Sequence, residues 1–154
     1  MSRPTTPRDL LIAAFASAAF ASGYADAQLG STIISDHDAS HAAVMQHTQN
    51  GQLSYHESTD TNGITVRQYV NSSGEVYAVS WHGPAIPDVQ ALLGAHYARY
   101  QNGALASQVS NGLHASRVSQ DDLVVESSVR LRQFVGRAWL TSALPAGVAT
   151  SDIE

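Results

Sequence analysis

The stretch that decides the fold is Ile64-Thr65-Val66-Arg67-Gln68-Tyr69-Val70, followed by Asn71-Ser72-Ser73-Gly74-Glu75 and then Val76-Tyr77-Ala78-Val79-Ser80-Trp81. Two runs rich in β-branched and aromatic residues, separated by turn formers, read as a β-hairpin. With simple register, Val70 faces Glu75, Gln68 faces Tyr77, Val66 faces Val79 and Ile64 faces Trp81. One face then collects Ile64, Val66, Val70, Tyr77, Val79 and Trp81 and is the core side of an antiparallel sheet. Thr65, Arg67, Tyr69 and Ser80 point to the other, open side. A slip of one residue reverses that assignment.

Outward from the hairpin, Gly83-Pro84 ends the second strand and Pro87-Asp88 opens a helix. Val89, Leu92, Leu93, His96, Tyr97 and Tyr100 recur at three-to-four spacing, the apolar stripe of an amphipathic helix laid on a sheet, and Asn102-Gly103 supplies a left-handed stop. Further strands are expected at Leu53 to Ser58, Leu113 to Val118, Leu123 to Ser127 and Leu131 to Leu140. The sum is an α+β domain over 52–154, an antiparallel sheet of about five or six strands packed against one main α-helix. Residues 28–51 are polar and weakly patterned, with Asp36, Asp38 and Ser40 as caps ahead of Ala42 to Met45, so a polar arm and a short helix both fit.

The first 27 residues read differently. Arg3 and Arg8 precede an apolar run from Leu10 to Phe20, and Ala25-Asp26-Ala27 places small residues where a signal peptidase reads them. That order is a secretory signal peptide, cut between Ala27 and Gln28. The apolar run is shorter than the roughly 20 residues needed to span a bilayer. The expectation is export through the general secretion machinery and signal peptidase, a periplasmic or extracellular product, and no membrane span after cleavage.

Composition removes several chemistries. The 154 residues are 44% hydrophobic and 14% charged, enough apolar content for a core. There is no cysteine, so disulfides, thiolate metal sites and thiol nucleophiles are excluded. All eight basic residues are arginine, which removes Schiff-base and P-loop lysine chemistry. A net charge of −5 without clustered cations argues against a nucleic-acid partner.

The same residues resemble a known family. Val66 to Val70, Gly74, Val76 to Trp81, Gly83-Pro84, Pro87-Asp88 and Leu92-Leu93-Gly94 are similar to the central signature of domain-of-unknown-function family 2844, short exported bacterial proteins. Leu123 to Glu126, Arg132, Phe134, Gly136 to Leu140 and Leu144 to Val148 resemble its C-terminal part. The sequence departs from the pattern with Gln68 for Glu, Tyr77 for Phe and Trp139 for Tyr. An amide at position 68 cannot exchange a proton, which weakens acid or base chemistry on that strand. The resemblance implies export and a shared fold, and supplies no activity.

Motifs for catalysis are missing. His37 and His41 would share a helix face, but Asp36-His37-Asp38-Ala39-Ser40 fails as a calcium loop, with His41 and His47 where Gly and Glu are required. His56-Glu57 lacks a second histidine at helical spacing, and no serine sits in a Gly-x-Ser-x-Gly elbow. No catalytic residue, metal site or cofactor is assigned. Arg67, Tyr69, Arg132 and Arg137 are the candidate binding residues, a planar anion or glycan patch on the open sheet face. The competing reading pairs those arginines across strands with Glu57, Glu75 or Glu126. Trp81 and Trp139 read as core anchors. The leading functional expectation is a non-catalytic binding or assembly module for a protein or glycan partner in the cell envelope. The alternative is a cysteine-free, metal-independent hydrolase acting on an envelope or extracellular substrate.

Overall fold

The computed structural model describes residues 28–33, 44–47, 53–106 and 114–154. Residues 1–27, which read as a secretory signal, and the histidines at 37 and 41 lie outside the described residues. The domain is α+β. Seven antiparallel strands, β1 (Val44–His47), β2 (Ser54–Thr59), β3 (Thr65–Val70), β4 (Val76–Gly83), β5 (Ala115–Gln120), β6 (Leu123–Arg130) and β7 (Gln133–Leu140), form one sheet in the order β1-β2-β3-β4-β7-β6-β5.

The central hairpin forms where its alternation places it, with a shifted register. Val66 pairs with Trp81 and Gln68 with Val79, two positions from the simple expectation. Glu75 stays in the turn, leaving Val70 opposite Val76, and a bulge follows between Tyr69 and Val70. The turn is built by Asn71, whose side-chain oxygen accepts from the amides of Ser73 and Glu75, each at 3.0 Å. Gly74 supplies the positive φ of 81° that this turn needs. The bulge puts Tyr77 and Ala78 together on one side of β4. Ile64, Val66, Val70, Val79 and Trp81 remain on the expected core face, whereas Tyr77 crosses to the other.

The helical segment is broken. α1 (Val89–Leu93) starts on Asp88, whose carboxylate accepts from the Ala91 amide at 3.0 Å, and ends at Gly94 with φ 51°. A 3-10 turn then leads into α2 (Tyr97–Ala106). Asn102-Gly103 does not stop α2, contrary to the sequence reading. A Cβ on Gly103 would sit 2.6 Å from Val118 Cγ1, so this glycine serves the close approach of α2 to β5.

The segment 28–51 is neither a free arm nor a helix where it is described. Val44–His47 pairs with β2, whose outer edge otherwise leaves its main-chain groups bare. Gly30 donates to Val76 O and Val76 to Ser31 O, because the β4–β7 ladder begins only at Ala78 and leaves the start of β4 available. Leu29 is thereby carried into the core.

Two apolar clusters flank the sheet. One lies beneath α1 and α2 and includes Leu29, Ile64, Val79, Trp81, Leu93, Leu123 and Leu140. The other gathers Leu53, Tyr69, Tyr77, Ala78, Val124, Trp139 and Ile153. The side expected to be open is therefore covered: the segment after β7, with Ala143, Leu144 and Val148, folds across it and ends in a 3-10 turn at Thr150–Asp152.

Candidate functional site

On this second side, β3, β4, β7, β6 and β5 form the floor of an open cleft of about 870 Å3, with Ile153 and Glu154 as one wall. Strand alternation aims Arg67 of β3, His82 of β4, Arg137 of β7, Glu126 of β6 and Arg117 of β5 toward the same side. The cross-strand pairs Arg137↔Glu126 and Arg117↔Glu126 follow from register.

The guanidiniums are held in fixed geometries. Arg67 Nε donates to Glu57 at 2.7 Å, and this bond holds the Arg67 guanidinium further into its charged form than usual. Arg117 donates to one oxygen of Glu126 at 2.5 Å and Arg137 Nε to the other at 2.8 Å, so a single carboxylate is shared by two arginines. The guanidinium of Arg67 lies 5.3 Å from the Tyr55 ring centre and that of Arg137 lies 5.4 Å from Trp139. Cross-strand pairing with Glu57 and Glu126 is thus realised, while Glu75 is engaged by Asn71 at the hairpin turn.

The remaining donors of this side converge on the main chain of the covering segment. Arg67 Nη1, the Tyr69 hydroxyl and Ser80 Oγ donate to the Glu154 main-chain oxygen at 2.8, 2.7 and 2.8 Å. The Tyr69 hydroxyl also accepts from the Glu154 amide at 3.0 Å. Arg137 Nη1 donates to Thr150 O at 2.8 Å and Ile153 O at 3.2 Å. A segment with neither helix nor strand bonds along most of its length must find partners for its buried carbonyls, and these side chains supply them.

The four residues singled out from sequence therefore separate. Arg67 and Arg137 meet in the cleft. Tyr69 is only 2% exposed and lies beneath the covering segment, so it offers no flat surface to a ligand. Arg132 sits at the β6–β7 turn, remote from both in the pairing register. Arg117 is absent from that group, although its place opposite Glu126 is legible once Ala115–Gln120 is read as a strand.

Other polar groups form a separate network. Arg99 Nη1 donates to Asp122 at 2.6 Å and Ser142 Oγ to the other oxygen of Asp122 at 2.6 Å. The Ser142 bond, then the Arg99 bond, hold the Asp122 carboxyl below its usual range. Arg99 also bonds His96 Nδ1, and burial first, then that guanidinium, hold the His96 imidazole below its ordinary value. Arginine stands between histidine and carboxylate, so this is not the geometry of a serine triad. Among the described residues, no group of three or more His, Asp or Glu side chains is arranged to hold a metal ion. Also among the described residues, no helix is long and apolar enough to cross a membrane.

Neither the curated proteins nor the solved structures include a match to this chain. Family membership follows from a model whose own description is a protein of unknown function and which matches residues 25–153, nearly all of the described fold: the chain belongs to the DUF2844 family.

Proposed function

We propose that this protein is an exported, non-catalytic binding or assembly module of the periplasm or cell surface, and that the cleft beside residues 149–154 is its recognition surface. One observation carries the reading: side chains of this sheet face already recognise main-chain oxygens of a polypeptide segment laid across them, with three donors on the Glu154 oxygen and one arginine spanning two more across a 3-10 turn. A surface of this chemistry suits a protein partner, whose main chain offers the same acceptors to the polar side chains that line the cleft. A glycan partner is less well suited, because Tyr69 and Trp139 are buried and half-buried Tyr55 is engaged by the Arg67 guanidinium. Export is supported by the charged, apolar and small-residue order of residues 1–27. Leu29, the first of the described residues to enter the core, lies just beyond a cut after Ala27.

A photoreactive side chain replacing Ala115, on the cleft wall, should give a discrete polypeptide adduct in the exporting cell. The same group at Ile86, exposed on the opposite side, should give none. Arg137→Ser should abolish the adduct at 115 while the N-terminus of the secreted product remains Gln28 by mass spectrometry. Equal adducts at both positions, or none, would remove the cleft from the proposal, and an uncut Met1 to Ala27 on the soluble product would remove export.

A further inference from the structure

The far end of the β6–β7 hairpin carries a second surface, independent of the cleft proposal. Arg130 pairs with Gln133, which leaves a two-residue turn of Leu131 and Arg132. Both have positive φ, 48° and 67°, a conformation that favours Gly and Asn and that disfavours a branched side chain. Leu131 is also 95% exposed, so neither turn geometry nor burial in this fold accounts for a leucine there. Backbone strain kept at an exposed apolar position points toward a role outside the fold.

Charge and facing define the partner. Four of the six described arginines, Arg67, Arg99, Arg117 and Arg137, sit in ion pairs with carboxylates. The two that do not are Arg130 and Arg132, on either side of Leu131. Behind the apex, Val129 and Phe134 point to the helix side of the sheet and Val135 to the cleft side, by register with Val125↔Ala138 and Arg137↔Glu126. Val129 is 40% and Val135 45% exposed. A protein groove is entered with one apolar face, whereas a tip apolar on both faces suits a medium that is apolar all round. Two cations beside the apical leucine suit the phosphate headgroups at the edge of that medium.

We propose that this hairpin tip docks on an anionic lipid surface, with Leu131 entering the acyl boundary and Arg130 and Arg132 held at the phosphates. Contact through so few groups is reversible, and it falls as salt rises. It spans nothing and requires no change in the fold.

Flotation with vesicles tests it, using the soluble protein that the exporting cell releases. Vesicles containing phosphatidylglycerol should bind the protein at least about tenfold better than phosphatidylcholine alone, with each arginine accounting for about fivefold. Arg130→Ser with Arg132→Ser should bring the two vesicle types level. Leu131→Asn should lower binding about tenfold while leaving the urea midpoint unchanged or higher, because asparagine tolerates the left-handed turn and leucine loses its apolar insertion. Equal binding of the unaltered chain to both vesicle types would overturn the proposal, as would full binding by the Leu131→Asn variant. It would also be overturned if Leu131→Asn spared vesicle binding but abolished a concentration-dependent dimer seen by light scattering, which would make the tip a contact between copies.

Discussion

The two sides of the sheet are covered in opposite ways. One side takes α1 and α2, whose carbonyls are bonded within the helices, so the sheet beneath can be apolar: Ile64, Val79, Trp81, Leu123 and Val125. The other takes the segment after β7, which leaves the main-chain oxygens of Ile153 and Glu154 to be bonded by the sheet itself. Polar side chains on a buried sheet face are thus set by the kind of cover above them. Of the four residues that read as a ligand site, Arg67, Tyr69 and Arg137, with Ser80 beside them, are in large part bonding partners of the chain's own backbone.

The largest expected effect is on the helix-covered side. Trp81 lies over Gly136, where a Cβ would come within 2.3 Å of its ring, so no side chain can move in to fill its place. Trp81→Ala should cost about 3 to 5 kcal/mol in urea unfolding, against under about 1 kcal/mol for the surface change Thr65→Ala. A reversed order would mean that the packing assigned to the two sides is wrong. On the other side, Ile153 is fully buried among Tyr69, Tyr77 and Trp139. Ile153→Ala should cost about 2 to 5 kcal/mol if the segment is an integral cover. A cost under about 0.5 kcal/mol, the range of surface changes, would show that this cover is dispensable and the face is open after all.

A smaller effect isolates the polar bonding from the packing. Tyr69→Phe keeps the ring tilted against Tyr55 at 5.5 Å and Tyr77 at 6.4 Å but removes the hydroxyl that both donates to and accepts from Glu154. The Glu154 oxygen keeps two donors and its amide loses its partner, so a loss of about 1 to 2 kcal/mol is expected. The loss should be suppressed in an Ile153→Ala background if both residues act by holding the same segment. Strict additivity would separate them.

The helix-covered side was the legible one. Alternation along Ile64 to Trp81 and the stripe from Val89 to Tyr100 gave the α+β class, the central hairpin and the placing of Trp81. The register was not legible, because it depends on where Glu75 falls in the turn and on a bulge that moves Tyr77 across the sheet. Nor was the second cover: residues 141–154 have no periodicity, and Ile153 looks like any tail residue until Tyr69, Tyr77 and Trp139 surround it. For the site, Arg67 and Arg137 were found from their strands. Tyr69 and Arg132 were grouped with them only because strand patterns say which way a side chain points and not what lies above it or how far along the sheet it stands.

The two covers meet at one carboxylate, where the smallest effect is expected. Asp122 takes Arg99 from α2 on one oxygen and Ser142 from the opposite cover on the other. Its lowered carboxyl value gives stability that is present above the unfolded value near 3.8 and is lost as the pH falls through the folded one. His96, behind Arg99, is also lowered: the unfolded chain takes up a proton that the fold resists, so stability declines as the pH drops below about 6.5. His56, lowered by burial, acts in the same window. Asp122 and Arg99 are each about a third exposed, so their bond should be worth under about 1 kcal/mol. Urea midpoints measured between about pH 7 and pH 5 should fall gently. His96→Gln should remove part of that slope and leave the part due to His56, while Asp122→Asn should flatten the fall below about pH 4. If Asp122→Asn instead left the acid limb intact, the carboxylate would not be the tie, and the helical cover and the irregular one would be joined only through the sheet between them.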